Sequence, residues 1–266
     1  MELKGKVCVV TGASSGIGRR AAIDLAARGA TVCGVARRAE RLESVISGLS
    51  GDGHSMVPAD VTKKTQVTAM ASHVKEVHGR CDILVNSAGI GGAGTFDGRA
   101  AVGRTEEVMK TNFFGALYCT AELMPLLEEA APCSVVNIAS IAGRLALRGS
   151  SAYAASKFAL VGWSEALHFE LAERGVFVSL VEPGPLPTEG FPMTGLVKDP
   201  LMRRVLTSDE KVSSAILDAV ARRKMQRVVP RWYYLLSIAR VLVPPVYRFA
   251  QGPLATVRKH RVPEDG

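Results

Sequence analysis

Short apolar runs rich in β-branched residues recur along the chain. Runs of this kind are typical of strands that are buried on both faces of a parallel sheet. They predict strands at residues 6–11, 31–36, 55–59, 81–85, 134–140, 176–181 and 227–229.

The segments between these runs place apolar residues three or four positions apart, which predicts helices. The predicted helices cover residues 21–28, 39–50, 63–77, 105–129, 153–174 and 207–223. Strands that alternate with helices predict an α/β fold, a doubly wound parallel sheet of about seven strands. We expect a single domain over residues 1–230 and a C-terminal amphipathic extension over residues 231–266.

The composition is that of an ordinary globular protein, with 47% hydrophobic and 22% charged residues. The five cysteines are odd in number and form no C-x-x-C pair, which indicates reduced, buried thiols in a cytoplasmic protein. The first predicted strand starts too early to leave room for a secretory signal. The histidines lack metal-ligand spacing, so we expect no metal site.

The net charge of +8 is concentrated near the C-terminus. Residues 222–261 contain ten of the 33 Lys and Arg residues and no Asp or Glu, so the remainder of the chain is close to neutral. The basicity therefore belongs to the C-terminal region and not to the predicted sheet.

Within this region, residues 232–243 form the most apolar stretch of the chain. A helix of this length extends about 18 Å, well short of the ~30 Å core of a bilayer, so we expect no spanning helix. Tyr233, Ser237, Arg240 and Pro244 share one stripe and leave a broad apolar face. Two interpretations stay open: peripheral membrane contact through residues 231–250, and packing on the protein's own core or a partner subunit. Aliphatic residues interleave the basic ones, so we expect no nucleic-acid partner.

A glycine-rich turn follows the first predicted strand and leads into a helix. Gly12, Gly16 and Gly18 give the spacing T-G-x-x-x-G-x-G. Glycines let the backbone approach a pyrophosphate closely, and the helix N-terminus supplies free N–H groups and a positive dipole. The turn therefore predicts a dinucleotide-binding loop.

Arg37 and Arg38 follow the second predicted strand, and Ala36 precedes them. NAD-binding proteins usually carry an acidic residue at this position to accept the ribose hydroxyls. Arginine instead offers forked donors that suit a 2′-phosphate. This pattern predicts a preference for NADP(H) that rests mainly on Arg37, with NAD(H) as the alternative, unless the two arginines are simply solvated.

Tyr153 and Lys157 lie four residues apart in a helical segment and so share one face. A nearby ammonium favours the phenolate and is expected to lower the pKa of the Tyr153 hydroxyl. The pair could then act as a general acid or base on a carbonyl or an alcohol. Asn112 and Ser140 are further candidates, the latter at the C-terminal end of a predicted strand, where parallel sheets bind ligands.

Six motifs in chain order resemble those of the short-chain dehydrogenase/reductase (SDR) family: Thr11-Gly12 with Gly16 and Gly18, Asn86-Ser87-Ala88-Gly89, Asn112, Ser140, Tyr153 with Lys157, and Pro183-Gly184 with Thr188. The resemblance covers about residues 4–230 and implies a Rossmann-like fold. Ser87 departs from the family, which usually has a second Asn there.

The resemblance also implies a role for each matching residue. Ser140 would bind the substrate oxygen, and Tyr153 would exchange a proton with it. Lys157 would hold the nicotinamide ribose and lower the Tyr153 pKa, while Asn112 would anchor a water relay to Lys157. The remaining cofactor contacts would come from Gly12, Ser14, Ser15, Gly16, Ile17 and Gly18 at the pyrophosphate, Asp60 and Val61 at the adenine, Asn86, Ala88 and Gly89 at the middle, and Pro183, Gly184 and Thr188 at the nicotinamide end.

These observations predict an oxidoreductase that transfers a hydride between a nicotinamide and a ketone or secondary alcohol. Residues 191–206 are irregular and apolar, as expected of a lid. With Leu145 and Leu147 they favour an apolar substrate that is steroid-, retinoid- or lipid-like. The family resemblance implies a homodimer or homotetramer.

Two other functions compete with this one. A non-catalytic cofactor sensor or scaffold on the same fold is disfavoured because both Tyr153 and Lys157 are present. An epimerase or dehydratase is disfavoured by the glycine spacing and by the chain length.

Overall fold

The computed structural model of the protein describes residues 2–187 and 205–250. Seven parallel strands form one sheet in the order β3-β2-β1-β4-β5-β6-β7. This confirms the predicted doubly wound sheet. Its strands are β1 (Val7–Thr11), β2 (Thr31–Ala36), β3 (Ser55–Pro58), β4 (Ile83–Asn86), β5 (Cys133–Ile138), β6 (Val176–Pro183) and β7 (Gln226–Val229).

Helices cover both faces of the sheet and follow the strands in alternation. A π-helical turn at Lys110–Phe114 joins two of them, and a 3-10 turn at Ile141–Gly143 follows β5. The helices are α1 (Gly16–Ala26), α2 (Ala39–Ser47), α3 (Lys64–His78), α4 (Arg99–Met109), α5 (Gly115–Glu129), α6 (Ser151–Ala172), α7 (Asp209–Arg222), α8 (Tyr233–Leu242) and α9 (Pro244–Ala250).

Strand β1 lies near the centre of the sheet and pairs with both β2 and β4. Its side chains alternate between two apolar layers: Cys8 and Val10 pack with α1 and α7, whereas Val9 packs with α3 and α5. The chain moves outward from β1 to β3 and then crosses back to β4. Ligands of open α/β sheets bind beyond the strand ends at such a reversal, so this edge is the natural place for a site.

Two helix starts were predicted wrongly. Helix α1 begins at Gly16, within the glycine turn, and not at residue 21. The helix predicted from residue 105 begins at Arg99 and is interrupted by the π-helical turn. Glycine is a poor helix former, so helix propensity does not indicate the start of α1 at Gly16. Contacts with the body of the protein override this low propensity.

The five cysteines are free and buried, as predicted. Burial raises the pKa of the Cys33 thiol to about 11 and that of the Cys119 thiol to about 12. Four of the five lie on or directly beside strands, at Cys8, Cys33, Cys81 and Cys133.

The C-terminal segment forms two short helices instead of ending at its proline pair. Helix α9 starts at Pro244, a residue that is favoured at the first helical position. The described residues include no helix long and apolar enough to cross a membrane. The lid predicted at residues 191–206 lies almost entirely outside the described residues, as does Thr188.

Candidate active site

The C-terminal ends of six strands meet at one edge of the sheet, and the predicted site residues follow those ends. The glycine turn follows β1, the two arginines follow β2, and Asp60 follows β3. Ala88 follows β4, Ser140 follows β5, and Gly184 follows β6. A parallel topology thus gathers residues that are far apart in sequence.

The glycine turn is shaped to approach an anion closely. Gly12 and Gly16 have φ of 70° and 52°, which side chains rarely adopt. A Cβ on Gly18 would lie 2.4 Å from the Gly12 carbonyl oxygen, so only glycine fits there. The first turn of α1 has no acidic residue and no side-chain cap, so its N–H groups suit a pyrophosphate.

Thr11 fastens this turn to the end of β4. Its hydroxyl accepts hydrogen bonds from the backbone N–H groups of Ser87 (3.0 Å) and Ala88 (3.1 Å) and donates to Val85 O (3.4 Å). Because position 87 contributes its backbone N–H to this contact, the serine in place of the usual Asn leaves it intact.

Asn86 is turned into the protein. Its Nδ2 donates to Thr120 Oγ1 (3.0 Å) and to Asn137 Oδ1 (2.9 Å), and Asn137 continues to Ser164 Oγ (2.8 Å). The side chain therefore links β4 to α5 and β5, and Asn137 extends this link to α6. Its expected contact with the cofactor does not follow from this geometry.

Arg38 spans the gap between β2 and the glycine turn. Its Nη2 donates to Ser15 Oγ (2.9 Å) and to Ser14 Oγ (3.3 Å). Arg37 is exposed and its charge acts on Asp60. Desolvation tends to raise the Asp60 pKa, but hydrogen bonds from Thr62 and nearby positive charges outweigh it and lower the pKa.

Asp60 and Val61 stabilise the loop after β3. Asp60 Oδ1 accepts hydrogen bonds from Thr62 N (2.9 Å) and Thr62 Oγ1 (2.8 Å). The Val61 side chain packs on Gly115, where an added Cβ would lie 2.7 Å from Val61 Cγ2. The loop is thereby held against the start of α5.

Ser140, Tyr153 and Lys157 converge beyond the end of β5. Ser140 shares a hydrogen bond with Tyr153, donates to Pro183 O (3.3 Å) and accepts from Ala142 N (3.1 Å). Lys157 Nζ donates to Ile138 O (2.8 Å) and lies 5.7 Å from the centre of the Tyr153 ring. The structure thus brings the three predicted side chains together.

Asn112 lies in the π-helical turn between α4 and α5. Its Oδ1 accepts from Ile90 N (2.8 Å), while Nδ2 donates to Ile90 O (3.0 Å) and to Ser156 Oγ (3.0 Å). π-turns inside helices occur frequently at functional sites. Asn112 therefore holds the loop after β4 against α6, beside Lys157.

The predicted lowering of the Tyr153 pKa is wrong for this geometry. Burial raises the pKa of the Tyr153 hydroxyl, and its hydrogen bond with Ser140 offsets only part of that rise. Burial also lowers the pKa of Lys157 to about 8. The lysine is directed to a backbone carbonyl, and desolvation dominates both groups.

The nicotinamide end of the predicted site is lined by Pro183 and Gly184. Gly184 N donates to Val229 O (2.7 Å), and an added Cβ on Gly184 would lie 2.6 Å from the Tyr233 ring. The start of α8 therefore packs directly against this end of the site.

A partly buried ion cluster behind the site was not predicted. Arg144 Nε donates to Glu182 Oε1 (2.7 Å), and Glu165 and Gln226 complete the cluster. Burial raises the Glu182 pKa, although Gln226 and Arg144 counteract the rise. An acid at the end of an apolar strand, directly before Pro183-Gly184, was the sequence signal for a buried cation partner.

Comparisons with known proteins agree with this geometry. The family model described as short chain dehydrogenase matches residues 6–194. The 11-beta-hydroxysteroid dehydrogenase 1A of Arabidopsis thaliana is 34% identical over 257 residues, which cover 91% of this chain and 73% of that protein.

Two solved structures of short-chain dehydrogenases share the fold. The one from Burkholderia phymatum, in complex with NAD, has a TM-score of 0.82 at 25% identity and covers 96% of this chain and 100% of its own. The one from Burkholderia cenocepacia, in complex with NADP, has a TM-score of 0.80 at 26% identity. The match covers 94% of this chain and 99% of that one. The chain therefore belongs to the short-chain dehydrogenase family, whose members are oxidoreductases that act on CH–OH and C=O groups with a nicotinamide cofactor.

Proposed function

We propose that the protein is an NADP(H)-preferring oxidoreductase for apolar ketones or secondary alcohols. The observation that carries the cofactor preference is the position of Arg38, whose guanidinium contacts Ser14 and Ser15 in the glycine turn. No acid stands at the end of β2 to accept ribose hydroxyls. A guanidinium and two hydroxyls at this point suit a 2′-phosphate.

The reaction centre is formed by Ser140, Tyr153 and Lys157. The Ser140 and Tyr153 hydroxyls share a hydrogen bond and can both reach one substrate oxygen. In reduction, Tyr153 donates its proton to that oxygen while Ser140 holds it in place. A bound nicotinamide supplies the hydride.

Lys157 maintains the protonation of the centre. With a pKa of about 8, it can carry or release a proton close to neutral pH. Asn112 makes two hydrogen bonds to the Ile90 backbone. These bonds fix the position of the loop beside Lys157. We assign Asn112 a positioning role and Lys157 the binding of the ribose.

An apolar substrate is supported by the surroundings of the site. Leu145, Val228 and Tyr233 form a buried apolar cluster, and Val205 packs against it. The relative from Arabidopsis thaliana is named a hydroxysteroid dehydrogenase, which is consistent with a steroid- or lipid-like substrate. The homodimer or homotetramer expected from the family stays a prediction.

The experiment measures the oxidation of NADPH and NADH in the presence of apolar ketones. We expect the wild type to turn over with NADPH, and Tyr153→Phe to lose about 10²- to 10⁴-fold in rate while it still binds the cofactor. Arg38→Ala should weaken NADPH binding about tenfold or more and change NADH binding little.

Arg28→Ala is the matched control, because it removes an exposed arginine at the far end of α1. Equal loss of NADPH and NADH affinity in Arg38→Ala would contradict the cofactor preference. Full activity of Tyr153→Phe would contradict the catalytic assignment.

A further inference from the structure

The two C-terminal helices pack on the body of the protein with their polar stripe. Tyr233, Ser237 and Arg240 form the more buried side of α8. The Tyr233 hydroxyl donates to Val205 O (2.9 Å), and Arg240 donates to the Arg144 carbonyl. Helices of soluble proteins usually turn their apolar stripe to the core, so this orientation is inverted.

The apolar face of the pair points outward as a consequence. Leu235 and Leu242 lie opposite the polar stripe of α8 and are 66% and 73% exposed. Val246 and Phe249 extend the face along α9 and are 63% and 74% exposed. Contiguous apolar surface of this kind marks an interaction site.

The C-terminal region that carries this face is basic. Residues 222–250 contain seven Lys and Arg and no Asp or Glu. Arg231 and Arg248 are exposed next to the apolar side chains, and Trp232 and Tyr234 are 41% and 46% exposed near the start of α8. Large aromatic residues at the edge of an apolar face, with basic residues around it, are typical of segments that lie in a membrane interface.

We propose that α8 and α9 dock the protein on the surface of an anionic lipid bilayer. The apolar face enters the boundary between headgroups and acyl chains, and the basic residues contact the lipid phosphates. Helix α8 lies in the surface without spanning it, because its ten residues extend only about 15 Å. A second copy of the chain is the weaker occupant, because pairing this face with itself would bring two basic regions together.

Docking in this way would turn the mouth of the site toward the lipid. Helix α9 contacts the loop after Ser140, since the Tyr247 hydroxyl donates to Ala146 O. Helix α8 contacts Val205 and Gly184 through Tyr233. An apolar substrate dissolved in the bilayer would then enter the site without crossing water. Docking itself does not depend on the proposed reaction.

Flotation of the full-length protein with vesicles tests the proposal. We expect binding to phosphatidylcholine vesicles that contain phosphatidylglycerol, weaker binding to phosphatidylcholine alone, and a decrease as salt is raised. Leu235→Ser with Leu242→Ser should weaken binding about tenfold or more, because it removes two side chains that would be buried in lipid.

Ile23→Ser with Val77→Ser is the matched control, since it removes two exposed aliphatic side chains from α1 and α3. It should bind the vesicles like the wild type. Both double variants should keep the rate on a water-soluble ketone, which separates loss of docking from loss of catalysis.

Two outcomes would overturn the proposal. One is wild-type protein that does not float with anionic vesicles at low salt. The other is found by light scattering without lipid: the wild type is an oligomer, and the Leu235→Ser/Leu242→Ser variant is a monomer. The apolar face would then be a subunit contact.

Discussion

Burial controls the ionisation of the two residues at the centre of the candidate site. The hydroxyl of Tyr153 and the ammonium of Lys157 both move toward their neutral forms, because the low-polarity surroundings disfavour charge. For Lys157 this has a measurable cost, since the unfolded chain would hold its proton more tightly than the folded protein does.

Lys157→Met should therefore change how the free energy of unfolding depends on pH. The folded-state pKa of about 8 lies below the ordinary value of 10.5, so the charged lysine destabilises the fold fully below pH 8. That cost is relieved as pH rises from about 8 to 10.5. Between pH 7.5 and 9.5 the free energy of unfolding of the wild type should rise by about 2 kcal/mol relative to that of the variant, as measured by urea unfolding.

Lys75→Met, which removes an exposed lysine of α3, is the control and should run parallel to the wild type. If the Lys157→Met difference stays constant across this pH range, the lysine is not desolvated as described.

Spacing predicted that Tyr153 and Lys157 share one helix face, and the family resemblance implied that Ser140 joins them. Neither indicated the direction in which the Tyr153 pKa shifts. That direction depends on how deeply the side chain is buried and on which atom the lysine contacts, and both are set by the packing of β5 against α6. The role of Thr11 was missed for the same reason, because its hydroxyl partners lie 74 to 77 residues away.

At the scale of elements, the start of α1 depends on a single close approach. Gly18 lies in the first turn of the helix, directly against the carbonyl of Gly12. The helical pattern predicted a start at Ala21, and Gly16 and Gly18 themselves have low helix propensity. The interrupted helix at Asn112 was unpredictable in the same way, because the hydrogen bonds that stabilise the π-turn are made to Ile90 in a distant loop.

Gly18→Ala should disrupt the turn and abolish most cofactor binding. Its Cβ would lie 2.4 Å from the backbone oxygen of Gly12, which cannot move without opening the turn. Gly103→Ala provides a matched helical control, since nothing lies within 4 Å of its added Cβ. Thermal unfolding should show the second variant stabilised by about 0.5–1 kcal/mol and the first destabilised. Similar effects of the two substitutions would contradict the close packing of the turn.

On the scale of the whole molecule, the Arg144 cluster links the site to the last strand and the C-terminal helices. Arg144 follows the 3-10 turn after Ser140 and contacts Glu182 in β6, while Gln226 in β7 contacts the same carboxylate. The Arg144 carbonyl accepts a hydrogen bond from Arg240 in α8. Arg144 and Glu182 together thus connect the 3-10 turn, β6, β7 and α8.

Arg144→Met should destabilise the protein by about 3–5 kcal/mol, because it leaves the Glu182 carboxylate buried without a cation. The Glu182 side chain is 0% exposed. The deficit should be largest near pH 8 and shrink as pH falls, since protonation removes the buried charge. Urea unfolding at several pH values measures this dependence.

Arg144→Met combined with Glu182→Gln should recover most of the lost stability, since the amide is neutral and can still contact Gln226. A double variant as unstable as the single one would show that Arg144 acts through packing and not through charge.

The overall sheet was the most predictable feature, since all seven strands and their alternation with helices follow from apolar runs. The outward apolar face of α8 was only half predicted. The sequence placed Tyr233, Ser237 and Arg240 on one stripe, but not which side of the helix would face the body. Specific contacts decided it, with the Val205 and Arg144 carbonyls and with the Gly184 backbone.

The five buried cysteine thiols can serve as native probes of local opening of the fold. A small alkylating reagent can modify them only while the surrounding structure is open, because each thiol is shielded and holds its proton firmly. The cysteines lie in β1, β2 and β5, just before β4, and in the first half of α5. The order in which the thiols are alkylated would therefore show which parts of the fold open most readily, without any engineered label.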